Sequence, residues 1–261
     1  MRIGFIGAGR MGRPMVGRLV EAGHDVRVLG RSDEKRGAIA ELGAVAVTDI
    51  REVGPTAEIV VLCVFNDEQV REICLNTDLL TTMAPCSALV VHTTGSPGTV
   101  ETIAASGEIE VVDAPVSGGP HQAATGELTL FVGGTDEAVK QVRPVLSCYG
   151  DPVLHVGPLG VGQKVKLVNN ALFAAQIGLL SGAVDMAMRL GVSESTLLAA
   201  LHHGSAASTV LDLVARGGSV ASFVELAGEF VGKDLAVVRD VVAELDTGLG
   251  VLEDVIDATG L

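Results

Sequence analysis

Short apolar runs alternate with helix-like stretches through the first half of the chain. The runs are "RIGFI", "DVRVL", "EIVVLCV", "ALVVHT", "EVVDAPV" and "LTLFVGG". Most are nearly continuous in Val, Ile and Leu, the pattern of strands covered on both faces. Such alternation predicts a largely parallel sheet with crossover helices, up to about residue 157. From about residue 162 the β pattern stops. Helices are predicted over 162–190, 193–203, 206–216 and 229–246, with a short piece at 250–258. Gly191 and Gly204 stand where helices would end, and Ser193 where one would begin. The expected architecture is α/β: a doubly wound, largely parallel sheet over residues 1–160, then an all-helical domain over 161–261 that opens with a long helix.

Composition narrows the function. Of 261 residues 48% are hydrophobic, ample for two cores, and the 33 glycines follow no strict period. The net charge is −14, from 18 basic and 32 acidic residues. That argues against a nucleic-acid partner, whose phosphates need a basic face. An anionic substrate would have to be held by a few local cations. Cys63, Cys74, Cys86 and Cys148 show neither CxxC nor zinc-ligand spacing. They predict reduced thiols in a cytoplasmic protein without a metal centre. Met1 leads straight into "RIGFIGAG", so no leader segment is expected. Residues 167–184 carry no charge and have the length of a membrane span, but Asn169, Asn170, Gln176, Ser181 and two glycines interrupt them. The expectation is a helix buried in the protein or at a subunit contact, hence a homodimer or higher homo-oligomer and no membrane partner.

Three clusters carry candidate chemistry. In "IGFIGAGRMG", Gly7, Gly9 and Gly12 follow a strand and precede a helix, with Arg10 and Met11 between the last two. This is the Rossmann-type dinucleotide turn. The first glycine permits the bend, the second lets backbone approach a pyrophosphate, and the third lets helix and strand pack. The second strand ends in Gly30, Arg31 and Ser32, where NAD-specific folds place an acid. A guanidinium can fork onto a 2′-phosphate, and Lys35 lies one turn on, so NADP is the expected cofactor. Asp33 on the ribose is the alternative. In "DAPVSGGPHQAATGEL", the amides of Ser117, Gly118 and Gly119 with the Ser117 hydroxyl could cradle a carboxylate, or could form only a sharp turn. In "GVGQKVKLVNNALFAA", Lys166 and Asn170 share a helix face at i,i+4. A lysine there could also snorkel to water.

These clusters occur together in one order, and with them the chain resembles the β-hydroxyacid dehydrogenases, relatives of 3-hydroxyisobutyrate dehydrogenase, tartronate semialdehyde reductase and the glyoxylate/succinic semialdehyde reductases. "GFIGAGRMG" resembles the family's cofactor fingerprint, and "DAPVSGG" its substrate signature. "GVGQKVKLVNN" resembles its GxGxxxKxxxN pattern, and "KDL" at 233–235 its C-terminal motif. The resemblance implies hydride transfer between NADP(H) and a small carboxylated alcohol or aldehyde. It makes Lys166 the proton donor and acceptor and Asn170 its catalytic partner. Ser117, Gly118, Gly119, Thr94, Lys233 and Asp234 fall on the substrate, and Val64, Thr94 and Lys233 also on the cofactor. Departures are Val64-Phe65 where Leu-Pro is usual, Thr93 where Ser is usual, Leu226 at a position usually aromatic, and an end at Leu261 where relatives continue into another helix. An imine reductase-like NADPH enzyme and a catalytically silent NADP-binding scaffold are the competing readings.

Overall fold

The computed structural model describes residues 1–257. In chain order the first half runs β1 (Arg2–Ile6), α1 (Gly12–Glu21), β2 (Asp25–Leu29), α2 (Asp33–Glu41), β3 (Val45–Val47), β4 (Ile59–Leu62), α3 (Asp67–Leu75), α4 (Leu79–Thr82), β5 (Ala88–Val91), α5 (Pro97–Ala105), β6 (Glu110–Asp113), β7 (Val116–Ser117), α6 (Pro120–Thr125), β8 (Leu128–Gly133), α7 (Asp136–Leu146) and β9 (Gly150–Gly157). One sheet holds these strands in the order β3-β2-β1-β4-β5-β6-β8-β7, with β9 pairing β8. From β3 to β6 every pairing is parallel; β8 runs antiparallel to β6 and β7 and parallel to β9. The doubly wound expectation is met, with an antiparallel turn added at one edge.

Period-2 alternation explains why the central runs are apolar throughout. In β4, Ile59 and Val61 point into one core, with Met15, Val16 and Leu19 of α1 and Val139, Val142 and Val145 of α7. Val60 and Leu62 point into the other, with Val70 and Ile73 of α3 and Val100 and Ile103 of α5. Both faces of the strand are dry, so neither can be polar. Two strands escaped the pattern. β3 has only three residues. β9, "GDPVLHVG", contains Asp151, Pro152 and His155; it lies at a sheet edge with Asp151 and Pro152 exposed, where a proline costs no ladder bond.

The second half is helical: α8 (Val161–Arg189), α9 (Glu194–Leu201), α10 (Thr209–Gly217), α11 (Val220–Glu244) and α12 (Val251–Asp257). The expected helix at 229–246 begins earlier, at Val220. Ser219 caps it by accepting the Ser222 amide, and Val220 and Phe223 anchor its first turn in a core with Ile177, Leu198 and Val214. Residue 258, the expected end of the last helix, and residue 261, the expected end of the second domain, lie outside the described residues. The chain divides into two compact units, Met1–Lys166 and Leu167–Leu261. The division between Lys166 and Leu167 lies within α8.

Candidate active site

The glycine turn sits where β1 gives way to α1. Gly7 has φ +101°, and a Cβ there would stand 2.1 Å from the Cys63 carbonyl oxygen. A Cβ on Gly12 would stand 2.2 Å from the Gly7 carbonyl oxygen. Both glycines are demanded by the protein's own packing. Gly9 is not: a Cβ there would meet nothing within 4 Å. A glycine with open space above it suits a backbone that a dinucleotide pyrophosphate approaches. Arg10 flanks it exposed, and Met11 is half-buried.

At the end of β2, Ser32 accepts the Lys35 amide and caps α2. Arg36, absent from the sequence reading, folds back over the turn. Its Nη1 donates to the Gly30 carbonyl at 3.2 Å, and its guanidinium pairs with Asp33. Asp33, the alternative ribose ligand, is thereby engaged. Arg31 and Lys35 are exposed, with no side-chain hydrogen bond or ion pair among the described residues.

The carboxyl ends of β4, β5 and β6 gather most of the remaining candidates of the first unit. The Thr93 hydroxyl accepts from the Val64 amide and donates to the Val64 carbonyl, both at 3.0 Å. The Phe65 amide, a group that a proline would lack, donates to Gln69 Oε1 at 2.9 Å. Thr94 is buried. Asp113, wholly buried at the end of β6, accepts from the amides of Gly160 and Gln163. Burial pushes its carboxyl above the usual carboxylate range, against the pull of those two donors. Lys166 follows Gln163 by one turn of α8 and is 8% exposed.

The expected carboxylate cradle is partly engaged within the protein. The Gly119 amide already donates to Gln122 Oε1 at 3.0 Å, so it is not free for an anion. The Gly118 amide, at φ +124°, and the half-buried Ser117 hydroxyl carry no hydrogen bond among the described residues. They are what remains of the nest.

In the second unit, three predicted residues form one array. Asn170 Nδ2 donates to Asp234 Oδ2 at 2.8 Å, and Lys233 Nζ pairs with Asp234 Oδ1 at 2.6 Å. Asn170 is 8% exposed; Lys233 and Asp234 are half-buried. Leu226, at the departure from the family pattern, is 81% exposed. Phe230 stands one turn from both Leu226 and Asp234 on α11.

His92, Tyr149 and Cys63 belong to the interior. His92 Nδ1 donates to the Ala114 carbonyl at 2.6 Å, and the Tyr149 hydroxyl donates to His92 Nε2 at 2.9 Å. Burial pulls His92 down to about 4 and pushes the Cys63 thiol up to about 12. The four cysteines are free thiols, and no group of three His, Cys, Asp or Glu that could hold a metal occurs among the described residues.

A β3-β2-β1-β4-β5-β6 parallel order with a glycine turn after β1 defines the class: an NAD(P)-binding oxidoreductase fold. Residues 2–157 match the family model of the NAD-binding domain of 6-phosphogluconate dehydrogenase. Residues 160–257 match that of the NAD-binding region of NADP-dependent 3-hydroxyisobutyrate dehydrogenase. The chain belongs to the β-hydroxyacid dehydrogenase family. It is 35% identical over 196 residues to an NAD-dependent L-serine dehydrogenase of Pseudomonas aeruginosa, covering 74% of this chain and 64% of the relative. The structure of Mycobacterium tuberculosis 3-hydroxyisobutyrate dehydrogenase with L-serine superposes with a TM-score of 0.88 at 27% identity, covering 99% of this chain and 92% of that one. An imine reductase from Pseudomonas sp. shares the fold alone, at TM-score 0.69 and 17% identity over 99% of this chain and 92% of that one. The family supports NAD(P)-dependent hydroxyacid dehydrogenase activity.

Proposed function

We propose that the chain is an NADP-dependent β-hydroxyacid dehydrogenase or semialdehyde reductase with Lys166 as its proton donor and acceptor. The observation that carries this reading is a lysine 8% exposed, on the helix turn that starts at the sheet's carboxyl end. Desolvating an ammonium is costly, and a site that must place a proton beside its reacting oxygen is one where that cost serves the chemistry. When bound, the nicotinamide cofactor supplies or accepts the hydride. Negative charge grows on the carbonyl oxygen as its carbon is reduced. Lys166 delivers a proton to that oxygen, and takes it back in the oxidative direction. Asn170, its own amide nitrogen engaged by Asp234, orients the lysine or the substrate hydroxyl. The Ser117 hydroxyl, the Gly118 amide and Thr94 hold the substrate carboxylate; Lys233 serves an anion of substrate or cofactor. Gly7, Gly9, Arg10, Met11 and Gly12 hold the pyrophosphate side of the cofactor, and Val64 lies toward its nicotinamide.

NADP in preference to NAD is supported by the exposed Arg31 and Lys35 beside an Asp33 already paired with Arg36. We further propose a homodimer or larger homo-oligomer in the cytoplasm, without nucleic-acid or membrane partners. Among the described residues, α8 is the helix long and apolar enough to cross a membrane. Ala174, Ala175 and Ile177 bury one side of it, which supports a core helix instead.

The test is NADPH consumption against glyoxylate and the succinic, methylmalonic and tartronate semialdehydes, with NADP-dependent oxidation of L-serine and 3-hydroxyisobutyrate in parallel. One of these is expected to turn over, and Lys166→Ala to lose at least a thousandfold of kcat while still binding NADPH. Reduction of a cyclic imine with no turnover of any carboxylated substrate would favour the imine reductase class. NADPH binding with no oxidation across all of them would favour the silent scaffold.

A further inference from the structure

Most long helices here are capped by the residue that precedes them. Ser32, Asn66, Ser96, Thr135, Ser193, Ser208 and Ser219 each accept an amide of the helix they begin. α8 is different. The residue before it is Gly160, at φ +86°, which has no side chain to offer. Its first-turn amides still need acceptors.

Asp113 supplies them from 47 positions earlier. Oδ1 accepts from the Gly160 amide at 2.7 Å, and Oδ2 from the Gln163 amide at 2.6 Å. A carboxylate at the positive end of the helix dipole is favourable, which offsets part of the cost of burying it. The fit is close on both sides. A Cβ on Gly162 would stand 2.6 Å from Oδ2 and 2.4 Å from the Phe131 carbonyl oxygen; one on Gly133 would stand 2.3 Å from Oδ1. Gln163 adds a second tie. Its Oε1 accepts from the Gly95 amide at 3.0 Å, and its Nε2 donates to the Thr93 carbonyl at 2.8 Å. Thr94 lies between the two backbone groups so held. Lys166 lies three residues after Gln163, on the same face of α8.

We propose that Asp113 and Gln163 are positioning residues. They lock the first turn of α8 to the ends of β5 and β6, and so fix Lys166 and Thr94 relative to one another. The inference rests on the reading of Lys166 as proton donor. A cap needed for stability alone could be local, as in the other helices. An imported one also sets where along the sheet end the helix begins, and misplacement by about 1 Å costs on the order of a hundredfold in rate.

Gln163→Met keeps the side-chain length and removes both of its hydrogen bonds; Asp113→Asn keeps the shape and replaces one acceptor by a donor. Both are measured for hydrogen exchange of the 159–166 amides, for kcat and KM on the most active substrate of the panel above, and for NADPH affinity. The expected result is exchange at least tenfold faster and kcat at least tenfold lower, with NADPH Kd within twofold. If Gln163→Met does not fold, Asp113→Asn carries the same readouts. The proposal is overturned if kcat stays within twofold while Lys166→Ala is inactive. It is equally overturned if kcat, NADPH affinity and Tm fall together, which is general loss of stability. Full turnover by Lys166→Ala would instead retire the functional reading, and the exchange data would still show whether the tie exists.

Discussion

Beside the turn at the end of β2, Arg36 and Asp33 occupy each other, and Arg31 is left exposed. A charge-assisted hydrogen bond is worth about 1.5–3 kcal/mol, on the order of tenfold or more in affinity. Arg31→Ala is therefore expected to raise the NADPH Kd at least tenfold and the NADH Kd less than threefold; equal losses would take Arg31 off the 2′-phosphate. His92 makes a different kind of prediction. Its folded value of about 4 lies below the 6.5 of an ordinary histidine, because burial disfavours the imidazolium. Between those values the unfolded chain binds the proton and the folded chain does not. The stability is present above pH 6.5 and is lost as the pH falls toward 4, by about 2 kcal/mol at pH 5 for this one group. Denaturant melts of wild type and His92→Gln at pH 7 and pH 5 check this. The variant should lose less on acidification, and an equal loss would clear His92 of the effect.

Among the elements, α8 carries two sides with different fates. Leu167, Ala171, Ala174, Ala175 and Ile177 are buried. Val168, Leu172, Leu179 and Met186 are exposed at 67, 48, 60 and 61%. The exposed four recur at spacings of four, seven and seven, which keeps them on one side of the helix. The homo-oligomer proposed above would cover this stripe with the same stripe of a second copy. Sedimentation at tens of micromolar is expected to find a dimer or larger for the wild type, and a shift toward monomer for Leu179→Asp combined with Met186→Asp, with far-ultraviolet circular dichroism retained. A monomeric wild type would contradict the stripe's assignment. α11 teaches a related lesson about ends. The helix expected over 229–246 begins at Val220, because Ser219 caps it and Phe223 anchors its first turn in the core.

Across the whole molecule, what the sequence determined is what short-range physics writes locally. Continuous apolar runs in β1, β4 and β5 announce strands dry on both faces, and Gly7 with φ +101° can be little else than glycine. The Lys166–Asn170 spacing puts two polar groups on one helix face wherever the helix sits. Other features were not legible because they depend on distant partners. β9 is a strand because β8 offers it an edge, not because "GDPVLHVG" favours one. Gly119 is spent on Gln122, which "VSGGPHQ" does not reveal. Asp113 reads as the first letter of a substrate motif and is in fact the cap of a helix 47 residues later. Periodicity and turn chemistry act over a few residues, so the chain alone encodes elements and their faces. Which buried acceptor meets which helix end is decided only when the folded sheet brings them within hydrogen-bond distance.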